Sequence, residues 1–139
     1  MSLAFTQSNQ PVLIPNGAYT VSVTDSGKLL LSGAITANRT INLPPVQIGL
    51  HYRFMDTATA AFTATLQPRN VDGTVANGLM NGVLINQGAT AITLAGALKN
   101  AANTVVFSAA GVLGDFVDLY CDGVSWHVQG VSSAVAGLT

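Results

Sequence analysis

The residue types able to do chemistry crowd into GDFVDLYCDGVSWHVQG, residues 114–130. This stretch holds the only Cys, Cys121, the only Trp, Trp126, one of the 2 His, His127, and the acids Asp115, Asp118 and Asp122. A thiol beside an imidazole would make a nucleophile and its base. Ser125, His127 and Asp118 together supply the residue types of an acyl-transfer triad, in which the imidazole takes the hydroxyl proton and the carboxylate orients the imidazole. An indole beside polar side chains would stack a ligand. Which of these chemistries is open depends on the face of the local element that each side chain occupies.

Asp122-Gly123 is a hairpin-turn signal between two alternating segments. With a two-residue turn, Cys121 faces Val124, Leu119 faces Trp126 and Val117 faces Val128, and that face is wholly apolar. The opposite face carries Phe116, Asp118 and Tyr120 against Gln129, His127 and Ser125. A four-residue loop shifts each pairing but keeps both faces, whereas a three-residue loop would mix them, so burial selects the even loops. The hairpin core is therefore expected to be Val117, Leu119, Cys121, Val124, Trp126 and Val128. Cys121 reads as a small buried hydrophobe with no His on its face to activate it. Trp126 reads as a core anchor whose N–H reaches a polar group at the edge.

In the two-residue register His127 lies across from Asp118, a pairing that would favour partial protonation near neutral pH. Ser125 is two places away on the same strand. A flat hairpin face offers neither a strained nucleophile elbow nor an oxyanion hole, so no triad is expected. A polar subunit contact, or a solvent-facing cross-strand pair, fits that face better. Phe116, Asp118, Tyr120 and His127 are the candidate subunit-interface residues, because aromatic residues are enriched at interface centres.

Elsewhere the chemistry is thin. His51 and His127 share no metal-binding spacing. The Asp residues form no calcium loop, and no phosphate loop or dinucleotide fingerprint is present. Glu is absent, so a carboxylate pair for sugar hydrolysis would need two Asp brought together by folding. No catalytic residue, metal ligand or cofactor is expected, and the chain reads as a non-enzyme. Its basic residues, Lys28, Arg39, Arg53, Arg69 and Lys99, are scattered and the net charge is -1, which argues against direct nucleic-acid binding. A single Cys rules out an intrachain disulfide. The start, MSLAFTQSNQP, lacks a signal-peptide pattern, and no apolar run has the length of a membrane span. Synthesis in the cytoplasm is the expectation.

The elements that must position these residues follow from composition and alternation. The 139 residues suit one domain. They are 49% hydrophobic and only 8% charged, against about 25% charged in an ordinary soluble domain. With abundant Thr, Val and Gly this predicts an all-β fold. Residues 1–16 read as an N-terminal arm and 17–139 as a single β domain. Strands are expected at 18–24 (Tyr19, Val21 and Val23 on one face), 28–31, 39–43, 50–55, 61–66, 83–85, 91–94 and 104–107, followed by the hairpin. Ile41 and Leu43 should point inward, and Pro44-Pro45 should stop their strand. Residues 95–103 have room for one or two helical turns. Residues 67–82, with Asp72-Gly73, Asn77-Gly78 and Asn81-Gly82, read as an exposed or assembly-forming loop, or as a plain connection. The result is a compact sandwich, or a jelly-roll-like or barrel-like domain, of about ten short, mostly antiparallel strands. No exact internal repeat is present. So little charge leaves much of the surface neutral, which points to cover by other subunits in an oligomer; a Thr-rich neutral monomer is the plainer alternative.

One order of motifs carries a resemblance. A Gly-rich strand region after DSGK is followed by TINLP and GLHYRF, with Leu43, Pro44, Gly49, Tyr52 and Phe54. The chain ends with Gly114-Asp115, a strand, Asp122-Gly123, and Trp126 on the returning strand. Over roughly residues 19–130 this resembles the small β modules of tailed-phage structural proteins, such as capsid decoration or cement proteins and head or tail fibres. The resemblance implies a non-enzymatic virion structural protein, commonly a homotrimer. As a decoration protein it would sit on the outer capsid surface, bridge copies of the major capsid protein and stabilise the phage head through oligomeric contacts. As a fibre module it would instead bind a receptor or glycan. One compact domain without a repetitive shaft favours decoration, with the N-terminal arm as the candidate capsid contact. A small hydrolase is the third reading, and it would need a pocket joining His127 or His51 to an Asp and a nucleophile.

Overall fold

The computed structural model describes residues 10–33, 36–57, 62–87, 92–93, 99–107, 113–133 and 137–138. In chain order the strands are β1 (Val12–Leu13), β2 (Gly17–Thr20), β3 (Leu29–Leu31), β4 (Arg39–Leu43), β5 (His51–Met55), β6 (Ala64–Pro68), β7 (Met80–Gln87), β8 (Ile92–Thr93), β9 (Lys99–Ala102), β10 (Val105–Phe107), β11 (Phe116–Cys121), β12 (Trp126–Ser132) and β13 (Gly137–Leu138). They form two sheets. The larger, eight-stranded sheet runs β1-β3-β5-β11-β12-β7-β8, with β9 also on β7; the five-stranded sheet runs β13-β10-β6-β4-β2. The fold is an all-β, two-sheet domain, mostly antiparallel with some parallel ladders.

The parallel ladders have a simple origin. From β1 to β6 the chain crosses from one sheet to the other at each step. β1, β3 and β5 therefore stack in parallel in the larger sheet, and β2, β4 and β6 do so in the smaller one. Each crossover supplies the long connection that parallel pairing requires. The coils differ in length (Val12 aligns with Leu30, and Leu30 with Phe54), so the winding leaves no fixed-period repeat in the sequence. The hairpin β11–β12 then docks antiparallel on β5, and β12 runs parallel to β7.

Alternation places the core between the sheets. On β5, Tyr52 and Phe54 are buried while His51 and Arg53 are exposed. Leu30, Met80, Leu84, Val117, Leu119 and Trp126 meet Ile41, Leu43, Leu66, Val105 and Phe107 from the smaller sheet. Phe54 and Phe107 tie the sheets together at 5.3 Å between ring centroids, and Tyr52 leans on Trp126 at 5.9 Å. Several buried polar groups are paired. Ser32 Oγ donates to Asp56 at 2.7 Å, the Asp115 carboxylate accepts from Ser132 and Ser133, and Arg39 Nη1 donates to the carbonyls of Ile14 and Ser32.

Four local expectations change. The strand expected over 18–24 ends at Thr20, and Val23–Asp25 is a 3-10 turn. Ser22 caps that turn reciprocally with Asp25, and this local hydrogen bonding outweighs the alternation that would have carried Val23 inward; Val23 is exposed. In the segment expected to be helical, residues 99–102 are strand β9, while 94–98 lie outside the described residues. The strand expected at 83–85 extends from Met80 to Gln87, because Asn81-Gly82 makes a β-bulge rather than a turn. Gly82 sits at φ 155, and a Cβ there would collide with the Val128 carbonyl, so only glycine fits. Within the stretch read as an arm, Val12 and Leu13 pair with β3 and Ile14 is in the core; the chain is part of the sheet from residue 12.

Candidate functional site on the outer face of the larger sheet

Residues that alternate with the core form the outer face of the larger sheet, and strand register aligns them in three rows. The first row is Leu13, Leu31, Met55, Phe116, Val131 and Ile85, apolar across every strand from β1 to β7. Leu13 is 66% exposed and the others are half-buried. The second row is Leu29, Arg53, Asp118, Gln129 and Val83. The third is His51, Tyr120, His127 and Asn81. The four interface candidates read from the sequence, Phe116, Asp118, Tyr120 and His127, all lie on this face.

Their partners differ from the expected ones. The connecting loop is residues 122–125, so Cys121 pairs with Trp126, Tyr120 with His127 and Asp118 with Gln129. Asp118 is therefore not across from His127. It accepts from Arg53 Nε and Nη2, each at 2.6 Å, a bidentate pair whose hydrogen bonds push the Arg53 guanidinium above its ordinary range. The same guanidinium lies 5.0 Å from the centre of the Phe116 ring, within cation–π range. His127 instead places Nε2 2.7 Å from Asp122 Oδ2. Asp122 Oδ1 accepts from the backbone N–H of Val124 and of Ser125. The bond with His127, then the two backbone donors, hold the Asp122 carboxyl far below the usual carboxylate range.

Val124 is the correction in the hairpin core. It lies in the loop and is 75% exposed, because the longer loop moves the last inward pair back to Cys121 and Trp126. Val117, Leu119, Cys121, Trp126 and Val128 are buried. The Trp126 indole N–H has no acceptor among the described residues, so the expected polar edge partner is not there. The Cys121 thiol is free and buried behind the sheet, away from the face that carries both histidines.

Sequence spacing gave no reason to associate His51 with His127, yet β11 brings them into one row on either side of Tyr120. No cluster of His, Cys, Asp or Glu suited to a metal occurs among the described residues. Beside this row is a groove of about 320 Å³ lined by Asn81, Gly82, Asp118, Tyr120, His127, Val128 and Gln129. A smaller hollow of about 210 Å³ lies on the other side of Gln129, over Ile85, Phe116 and Val131. Asn81, Gln129 and the rest of the apolar row were not singled out by sequence reasoning. Alternation within β7 and β12 was the available signal, but it does not say which strands are neighbours.

The loop between β6 and β7, residues 69–79, holds itself together. Asn70 N–H donates to the Thr74 carbonyl at 2.8 Å, and Thr74 N–H donates to Asp72 Oδ1 at 2.9 Å. Val71 at its tip is 92% exposed. Val23, Ile48 and Val124 project from other loops at the same end of the sandwich and are also exposed.

No family model, curated protein or solved structure matches this chain.

Proposed function

We propose that this chain is a virion structural protein, a capsid decoration or cement module whose copies associate through the outer face of the larger sheet and bridge major capsid subunits on the outside of the head. The observation that carries the assembly part is the apolar row from Leu13 to Ile85. Isolated apolar side chains are common on protein surfaces, but a contiguous row is a mark of contact surfaces. Phe116 would sit at the centre of the contact, with Asp118, Tyr120 and His127 further along the same face. Arg53 and Asp118 neutralise each other, so covering them leaves no unpaired charge. A chain with 8% charged residues has little to keep copies apart. The virion part rests on the resemblance to tailed-phage β modules.

Native mass spectrometry tests the assembly. The chain is expected as a trimer, and the double variant Phe116→Ser, Ile85→Ser as a monomer with an unchanged far-ultraviolet circular dichroism spectrum. A wild-type monomer at micromolar concentration, or a variant that stays trimeric, overturns it. Electron microscopy of the native particle tests the location, with trimeric density on the outer capsid surface as the expected result; density confined to a fibre would favour the receptor-binding reading instead.

A further inference from the structure

We infer that the groove bounded by Tyr120, His127, Gln129 and Asn81 is a binding site for a neutral saccharide. The site lies beyond the apolar row. Phe116 and Tyr120 are four residues apart on β11, about 13 Å at ~3.3 Å per residue, so the groove sits towards the margin of the proposed subunit contact.

The walls have the chemistry of polyol recognition. Tyr120 is 53% exposed and offers a ring face on which the C–H face of a pyranose packs, with a hydroxyl at its tip. Asn81 and Gln129 are planar amides that donate and accept hydrogen bonds side by side, a match for neighbouring sugar hydroxyls. The floor is formed by Gly82 and Val128, where the β-bulge brings the two backbones close together.

Several of these groups are already held in place by contacts outside the groove. Asn81 Oδ1 accepts from the Ala101 N–H at 2.8 Å, which leaves its N–H₂ group for a ligand. His127 is held by Asp122 at 2.7 Å, and Asp118 by both nitrogens of Arg53. Side chains fixed before binding lose less entropy when a ligand arrives.

Charge and shape select the ligand class. Asp118 is neutralised by Arg53 and Asp122 lies against His127, so the groove does not favour an anion such as a phosphate. Its amide and hydroxyl walls disfavour a purely apolar ligand, which would leave them unpaired. It opens on a sheet face rather than an edge, so an extended peptide cannot add as a strand. At about 320 Å³ it is at the lower end of the ~300–1,000 Å³ typical of ligand sites, which suits a short saccharide held weakly.

The test is an array of neutral oligosaccharides, followed by a nitrogen-15 NMR titration of the intact chain with methyl β-galactoside, methyl β-glucoside and methyl α-mannoside. At least one glycoside is expected to bind in the millimolar range and to shift the amides of Asn81, Tyr120, His127 and Gln129. Tyr120→Ala should weaken that binding about tenfold, while Tyr120→Phe, which keeps the ring and loses only the hydroxyl, should weaken it less. Phe116→Ser should retain it, even if its mass drops to that of a monomer, so the saccharide site and the assembly reading can fail separately. No shift with any of the three glycosides and no signal on the array overturns the inference, as does equal binding by Tyr120→Ala or loss in Tyr120→Phe as large as in Tyr120→Ala.

Discussion

The two sheets present outer faces of opposite character. On the smaller sheet, register aligns Ala18, Thr40, Thr65 and Val106 in one row and Thr20, Asn42 and Gln67 in the next. Its polar groups satisfy one another: Asn42 Oδ1 accepts from Gln67 at 2.9 Å and from Arg69 Nε and Nη2 at 2.9 and 2.6 Å, and Arg69 Nη1 also donates to the Gly73 carbonyl. That face ties strands β4 and β6 to the neighbouring loop. The larger sheet instead aligns apolar side chains that stay half-buried or, at Leu13, exposed, beside a groove whose polar groups still have hydrogen bonds to give. The difference teaches that, in a chain so poor in charge, the side that is merely Thr-rich is the finished one. The unfinished side is the one with Phe116, Tyr120 and the histidines.

Three measurements would break or sharpen that contrast. The largest effect should come from beneath the larger sheet, where burial, then the nearby Asp25 and Cys121, push the Tyr52 phenol up to about 12. Its hydroxyl donates to the Ser22 carbonyl at 3.0 Å. Because the folded-state value is raised, this contribution to stability is complete below the unfolded phenol's ~10 and is lost as pH rises through 12, amounting to about 2–3 kcal/mol. Urea unfolding of the wild type between pH 9 and 12 should show that slope and Tyr52→Phe should flatten it; identical slopes would mean that the phenol is not sealed under the sheet. Next, Asn42→Ala on the smaller sheet removes the acceptor for Gln67 and Arg69 and should cost about 1–3 kcal/mol with no change in native mass. A change of mass would make that face a contact surface as well and abolish the contrast. The smallest effect is expected for Arg53→Ala. The side chain is 47% exposed in its ion pair, so stability should fall by no more than about 1 kcal/mol. A larger loss in chemical denaturation would show that Arg53 over the Phe116 ring contributes more than an ordinary surface pair.

How much of this was legible in the chain depends on the range of the signal. β4 was readable end to end, because alternation, the inward Ile41 and Leu43, and the Pro44-Pro45 stop agree. Alternation also sorted the hairpin correctly into a side with Trp126 and a side with Tyr120. It placed Val124 inside and Asp118 opposite His127 because two-residue and four-residue loops preserve the same faces. The choice between them was made by the Asp122 side chain, which accepts two N–H groups across a wider loop. Val23 was misplaced for a related reason: a capping bond between Ser22 and Asp25 is worth more locally than one more step of a pattern.

What the chain determined by itself is the all-β class, the single Cys on an inward face and a surface with little charge, since each follows from residue type or from neighbours along one strand. The alignment between strands was decided only by the tertiary fold. β1, β3 and β5 became parallel neighbours through coils of unequal length, and β11 came to lie between β5 and β12. Those crossovers put Leu13 level with Ile85 and set His51 and His127 on either side of Tyr120. The physical reason is that strand register is chosen by burying the whole core at once, and a row across a sheet is a consequence of that choice which no single segment encodes.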